Sequence, residues 1–213
     1  MKFDSLLSMI GEHPFFDLAT IVQLSGENKA TIHRQLSRWI KAGKLIALRR
    51  GMYVLATRYR RAAVNAAELA GHLYRPSYLS REWALGFYGL IPESVVTYTS
   101  VTPRVPHRFE NAFGHFEYRH IKQAAFFGYR VVEIRGTRVM LADPEKALLD
   151  LWHLSLGPWT VERMSGMRFQ NTETVNPKRL GDHAVRYDSP RLRRAAEVWR
   201  SLAVAEQEGA EEL

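Results

Sequence analysis

The sequence predicts an α+β protein with two domains, residues 1–61 and 62–213. Residues 3–41 carry apolar side chains at the three- and four-residue spacing of amphipathic helices. Residues 95–141 instead contain β-branched and aromatic runs that Gly and Pro interrupt, which is typical of strands. The charge also changes along the chain, because residues 1–61 carry 11 basic and 4 acidic residues whereas residues 62–213 carry 19 and 18. The basic connector TRYRR, residues 57–61, marks the expected boundary.

The net charge of +8 therefore lies almost entirely in the first domain. A small basic domain beside a nearly neutral one suggests that only the first contacts a polyanion. A membrane surface would attract the same charge, but the first domain lacks a basic amphipathic helix with a free apolar face. No stretch approaches the ~18 apolar residues that span a bilayer, so we expect no membrane partner.

Cysteine usage and the first residues indicate the compartment. The chain has no Cys, which excludes disulfides and cysteine-ligated zinc and agrees with a reducing cytoplasm. The opening residues MKFDSLLSMIGEH carry Asp4 and Glu12 and have no long apolar core, so they do not predict a signal peptide. We expect a cytoplasmic protein.

Three helices are predicted in the first domain. The first covers Phe3–Ile10, the second opens at the capping residue Asp17 and ends at Ser25-Gly26, and the third begins near Asn28 and stops at Gly43. Two short strands follow, Leu45–Leu48 and Met52–Leu55, joined at Arg49-Arg50-Gly51. Three helices with a short Gly-containing turn, followed by a hairpin, predict a winged helix-turn-helix domain.

The third helix and the hairpin supply the candidate DNA contacts. Ile32, Leu36 and Ile40 share one face of the helix, and the cations lie roughly opposite. In a helix-turn-helix the start of the third helix enters the major groove, whereas residues further along and the hairpin reach the backbone. The expected base contacts are Asn28, Lys29, Thr31, Arg34 and Gln35. Arg38 and Lys41 are expected to contact phosphate, and Arg49 and Arg50 to contact phosphate or the minor groove. A solvated helix face and a solubilising hairpin tip would explain the same charges, but the preceding turn and the following hairpin favour DNA.

The second domain is predicted to be mixed α/β. We expect a helix at Ala62–Leu73, and another with Leu79, Trp83, Phe87 and Leu90 on one face, capped by Ser80. Four to six strands should follow between Val95 and Leu141, with a hairpin at Gly136-Thr137. Asp143 and Pro144 open a further helix, and two more are expected at Pro177–Ala184 and after Ser189-Pro190, with residues 205–213 fraying.

Catalytic motifs are absent from the sequence. It has no P-loop, no G-x-G-x-x-G, no G-x-S-x-G and no HExxH, and His107, His115 and His120 lack a helix-face metal spacing. Glu133, Asp143, Glu145 and Lys146 are similar to a metal-nuclease cluster, but a capped helix start explains them more simply. We expect no enzyme activity and no catalytic, cofactor-binding or metal-binding residues.

Two later segments are distinctive, PSYLSREWALGFYGLIPE and FFGYRVVEIRGTRVMLADPEKALLDLW, and both follow an N-terminal domain that ends in RRGMYVL. In this order they resemble the AbiEi family of antitoxins, and the resemblance covers roughly Glu12 to Trp152. The resemblance implies a transcriptional autorepressor that binds inverted repeats in its own promoter. It also implies that the protein counteracts a nucleotidyltransferase-like toxin encoded beside it, with or without a stable complex.

Two other functions fit the same sequence. The chain could be a stand-alone regulator whose second domain senses a ligand or dimerises, in which case no toxin gene would lie next to its own. It could instead be a DNA-processing enzyme, for which metal-dependent cleavage of DNA would be the distinguishing observation.

Overall fold

Three short helices and a three-stranded antiparallel sheet form the first quarter of the computed structural model, which describes residues 1–211 and the side chains through Ala203. The elements are α1 (Phe3–Ile10), β1 (Phe15–Asp17), α2 (Leu18–Ser25), α3 (Lys29–Lys41), β2 (Leu45–Arg49) and β3 (Met52–Leu55). The strand β3 is central, with β1 and β2 on either side. The fraying predicted for residues 205–213 lies outside the described side chains.

Side-chain caps begin the second and third helices. The carboxylate of Asp17 accepts a hydrogen bond from the backbone N–H of Thr20 at 2.7 Å, and the amide oxygen of Asn28 accepts one from Thr31 at 2.8 Å. Each cap satisfies one of the N–H groups that the first turn of a helix leaves without a partner. The predicted starts of both helices are confirmed.

The strand β1 is missing from the sequence-based prediction. It has only three residues and pairs with β3, from Phe15 opposite Val54 to Asp17 opposite Met52. Three residues are too few to display an alternating pattern, so the neighbouring strand β3 defines β1 rather than its own sequence.

Both faces of β3 are buried. Tyr53 and Leu55 belong to the apolar cluster that includes the helix residues Ile32 and Leu36. Met52 and Val54 belong instead to the cluster of the following part of the chain, as do Phe15 of β1 and Leu48 of β2. Because side chains alternate across a strand, one face of this small sheet covers the helices and the other packs on residues 62–211.

The remainder of the chain is a six-stranded sheet with helices. Its elements are α4 (Ala66–Leu73), β4 (Tyr78–Leu79), α5 (Arg81–Phe87), β5 (Thr97–Thr102), β6 (His107–Asn111), β7 (Gly114–His120), β8 (Tyr129–Ile134), β9 (Thr137–Ala142), α6 (Pro144–Leu154), α7 (Val161–Gly166), α8 (Pro177–Arg186) and α9 (Pro190–Glu211). The strand order is β6-β7-β5-β4-β9-β8. The pairs β4–β9 and β5–β7 are parallel, and the other neighbours are antiparallel.

These elements confirm the mixed α+β class. Five strands lie between Thr97 and Ala142, within the predicted four to six, and β8 and β9 form the predicted hairpin. Its two turn residues are Arg135 and Gly136, both with positive φ, so the turn lies one residue earlier than predicted.

Three predictions about the starts of α5 and α6 are wrong in detail. Leu79 was expected on a helical face with Trp83, but it lies in β4, between β5 and β9 in the sheet. Ser80 occupies the first position before α5, and Asp143 occupies that before α6, yet neither side chain caps its helix. Ser80 donates instead to Asp150 at 2.7 Å, and Asp143 accepts a hydrogen bond from Arg130 at 2.9 Å. Tertiary partners therefore compete successfully with the local backbone.

A buried polar network, the Asp150 network, joins α6 to its neighbours. It consists of Asp150, Lys146, Tyr187, Tyr78 and Ser80. The carboxylate accepts hydrogen bonds from Lys146, Tyr187, Tyr78 at 3.1 Å and Ser80, and the Lys146 ammonium also donates to the Tyr187 hydroxyl at 2.8 Å. The side chains of Lys146 and Asp150 are both 0% exposed. The network links α6 with β4, the start of α5 and the end of α8.

The protonation of this network follows from its burial. Burial, and then the charge of Asp150, raise the pKa of the Tyr78 and Tyr187 phenols well above the usual range, so both remain donors to the carboxylate. Burial lowers the pKa of the Lys146 ammonium, an effect that Asp150 opposes. Removing either charged group would leave the other desolvated without its partner, which is strongly destabilising.

We expect Asp150→Ala to lower the free energy of unfolding by about 3–5 kcal/mol, because it leaves a buried ammonium and three hydroxyls without their acceptor. Urea denaturation followed by circular dichroism measures the change. The matched control is Asp182→Ala, an exposed carboxylate on α8, which should change the stability by less than about 0.5 kcal/mol. Equal effects of the two substitutions would contradict a central role for the network.

Candidate nucleic-acid interface

The outward side of α3 carries most of the predicted contact residues. Asn28, Lys29, Arg34, Arg38 and Lys41 are exposed, whereas Thr31 and Gln35 are half-buried. Ile32 and Leu36, on the opposite face, are fully buried. The amphipathic arrangement predicted for this helix is therefore present, with its cations facing away from the core.

Four of the five predicted base contacts also have partners within the protein. Asn28 uses its amide oxygen to cap α3, which leaves its NH2 group free to donate. Gln35 donates to the Glu27 carboxylate at 3.2 Å, and Thr31 accepts a weak hydrogen bond from Arg34 at 3.4 Å. Lys29 and Arg34 consequently have more freedom than Gln35 to contact an external ligand.

The two arginines of the hairpin occupy different environments. Arg50 is exposed in the turn before Gly51, whose φ of 77° gives the tight reversal that glycine favours. Arg49 ends β2 and is half-buried, and one of its terminal nitrogens donates to the Arg50 carbonyl at 3.0 Å. Its Nε is buried and has no hydrogen-bond partner among the described side chains. The hairpin tip is therefore not the pair of equally exposed cations that its sequence suggests.

The structure brings Lys29 and Arg49 into one groove. It has a volume of about 520 Å³ and lies between α2, the start of α3 and the hairpin. Leu18, Val22 and Gly51 contribute to its walls. The start of the third helix and the hairpin therefore face a common open space, which neither element would define alone.

The exposed cations of this surface lack neutralising partners. Among the side chains of residues 1–203, no carboxylate lies within 4 Å of Lys29, Arg34, Arg38, Lys41 or Arg50. Some arginines elsewhere do have such partners; Arg81 and Arg108, for example, both contact Glu117. The uncompensated positive charge therefore remains available to attract an anion.

Three of the residues considered for a nuclease have partners within the protein. Asp143 pairs with Arg130, Glu145 accepts from the backbone N–H of Asn176, and Lys146 is enclosed in the Asp150 network. Within the described part of the chain, no three His, Asp or Glu side chains are placed to hold a metal ion. None of the helices searched there is both long and apolar enough to cross a bilayer.

Other charged residues were not assigned any role from the sequence. Arg75 follows α4, and Arg104 lies between β5 and β6, yet both line a cleft that they share with Arg49 and Arg50. No sequence signal connects positions 29 residues apart in two loops. Lys146 and Asp150 were detectable in principle, because they lie four residues apart within an otherwise apolar helical run.

No protein-family model matches the chain, and no curated protein is significantly similar to it. The functional assignment therefore depends on the geometry and charge of the chain itself and on the resemblance described for its motifs.

Asn28→Ala should lower the free energy of unfolding by about 1 kcal/mol, because alanine cannot accept the Thr31 N–H at the start of α3. Asn28→Ser, which keeps a capping oxygen, should remain close to the wild type. Chemical denaturation of the three proteins measures the difference. If alanine and serine are equally stable, the cap contributes nothing and Asn28 is available entirely for an external ligand.

Proposed function

We propose that this protein is a DNA-binding transcriptional regulator in which residues 1–61 act as a winged helix-turn-helix. In this proposal α3 is the recognition helix and the β2–β3 hairpin is the wing. The observation that carries it is a set of exposed cations on the outward side of α3 and at the hairpin turn, none of which has a carboxylate within 4 Å among the side chains of residues 1–203. These cations repel one another and do not assist folding, whereas the phosphates of a DNA duplex would neutralise their charge.

The positions of these residues suggest which of them would contact bases and which would contact phosphates. Lys29 and Arg34 lie in the first half of α3, where a recognition helix meets base edges, and Arg can bind guanine with two hydrogen bonds. Arg38 and Lys41 lie in its last turn and would contact phosphates. Arg50 and the groove shared by Lys29 and Arg49 would place the backbone of the duplex beside the hairpin.

We propose further that the protein binds inverted repeats in its own promoter and counteracts a nucleotidyltransferase-like toxin. This part of the proposal rests on the resemblance of its motifs to the AbiEi antitoxins. A stand-alone regulator without a toxin is the alternative, and the reading frame beside the gene distinguishes the two.

Arg34→Ala should weaken binding to promoter DNA by about 1–3 kcal/mol and reduce the preference for that sequence. The reason is that the substitution removes the guanidinium group that would bind guanine with two hydrogen bonds. Fluorescence anisotropy with the promoter duplex and a scrambled duplex, at one fixed salt concentration, measures both effects. Arg194→Ala on α9 removes the same charge from an exposed position far along the chain and should leave binding nearly unchanged. An equal loss on both duplexes would assign Arg34 to phosphate rather than to bases.

Co-expression tests the antitoxin role. We expect this protein to restore growth to cells expressing the neighbouring nucleotidyltransferase-like protein from an independent inducible promoter. The Arg34→Ala variant should rescue equally well, since under this arrangement repression of the promoter no longer matters. Failure of both proteins to restore growth would remove the antitoxin role and leave the DNA-binding role intact.

A further inference from the structure

Four arginines line a single cleft between the hairpin and the following part of the chain. Arg49 and Arg50 come from the hairpin, Arg75 follows α4, and Arg104 lies in the loop between β5 and β6. The cleft has a volume of about 490 Å³, within the range of roughly 300–1,000 Å³ that small-molecule sites occupy.

These guanidinium groups are not neutralised within the protein. Among the side chains of residues 1–203, no carboxylate lies within 4 Å of any of the four. Among the described residues, Asp17 is the one acidic residue that lines the cleft, and one oxygen of its carboxylate caps α2. The cleft therefore combines four cations with a single acidic neighbour.

Contacts with the backbone and with an aromatic ring hold Arg104 in place. Arg104 donates to the carbonyl of Arg75 at 2.9 Å, and its guanidinium lies 4.2 Å from the centre of the Tyr74 ring. The backbone N–H of Arg104 donates to the hydroxyl of Thr102. Such prior ordering reduces the entropy that a ligand must overcome on binding.

A neutral histidine completes the wall. His72 lines the cleft, and burial, followed by the charge of Arg75, lowers its pKa to about 4. At neutral pH the ring is therefore uncharged and adds no further repulsion among the cations.

We infer that this cleft binds a free phosphate-bearing small molecule and that its occupancy weakens the proposed contact with DNA. Arginine forks match phosphate oxygens with paired hydrogen bonds, and four cations suit a group with two or more negative charges better than a single carboxylate. Arg49 lines both this cleft and the groove that it shares with Lys29. A phosphate bound to Arg49 and Arg50 would occupy the donors with which the hairpin meets the duplex; this second effect rests on the proposed function.

Inorganic pyrophosphate is the probe that tests whether the cleft binds a phosphate-bearing ligand. Calorimetry on the full chain without DNA should give saturable binding at one site. Arg75→Ala combined with Arg104→Ala should weaken that binding about tenfold or more, because charge-assisted hydrogen bonds are lost. The control, Arg194→Ala with Arg200→Ala, removes the same charge from exposed positions of α9 and should bind like the wild type.

The double substitution Arg75→Ala with Arg104→Ala, called the cleft variant, also loses the Arg104 contacts to Tyr74 and Arg75. Its thermal unfolding is therefore measured in parallel. If it is destabilised, Arg50→Ala replaces it, since Arg50 is exposed and makes no side-chain hydrogen bond within the described residues. The same weakening is then expected. Absence of saturable binding by the wild type, or equal weakening in the control, would overturn the site.

A second measurement separates a free ligand from the phosphates of DNA. At constant ionic strength, pyrophosphate should reduce the affinity of the wild type for promoter DNA and should have less effect on the cleft variant. If the cleft substitutions weaken DNA binding while pyrophosphate never saturates the wild type, the cleft contacts the duplex and the free-ligand site is refuted. If the wild type does not bind promoter DNA, the proposed function fails, and the calorimetry still decides the site.

Discussion

Burial of both faces of the small sheet is the constraint on which the rest of the arrangement depends. β3 has helices on one side and residues 62–211 on the other, so every one of its four side chains is buried. Asn111 of β6 reinforces the contact by donating to the carbonyl of Leu48 at 3.3 Å. The hairpin is thereby fixed beside the loops that carry Arg75 and Arg104. Without this packing, neither the groove beside α3 nor the cleft would have a defined shape.

The Asp150 network plays a corresponding role further along the chain. Lys146 and Asp150 stand where a helix inside an apolar core would ordinarily carry leucine or alanine. A buried ion pair often contributes little net stability compared with apolar residues of the same volume, but its hydrogen bonds require particular partners in particular positions. Tyr78 and Ser80, from the stretch that joins β4 to α5, and Tyr187, at the end of α8, satisfy that requirement. We infer that the hydrogen bonds of the network fix the positions of these segments relative to α6.

Sequence patterns predicted the features that local chemistry determines. The bounds of α1, the caps Asp17 and Asn28, and the β8–β9 hairpin follow from side chains within a few residues of one another. Short strands such as β1 and β4 were missed because pairing with distant strands defines them.

Tertiary partners explain the remaining errors. Ser80 and Asp143 have good capping side chains, but each makes a bond to a residue distant in sequence instead. The candidate contact surface on α3 was predictable from a helical wheel, since exposure follows the period of the helix. The half-burial of Arg49 and its proximity to Arg75 and Arg104 were not, because they depend on how the small sheet packs.

The doubly buried β3 also limits how the molecule can transmit a signal. A hinge motion between the two parts would pull Phe15, Leu48, Met52 and Val54 out of the apolar cluster that they share with residues 62–211. Exposing four such side chains to water is costly, so opening and closing of two rigid lobes is an unfavourable route. Communication between the cleft and α3 would instead pass through rearrangement of individual side chains on a fixed frame. Arg49 and Asp17 line both spaces, so such a path would run through their side chains.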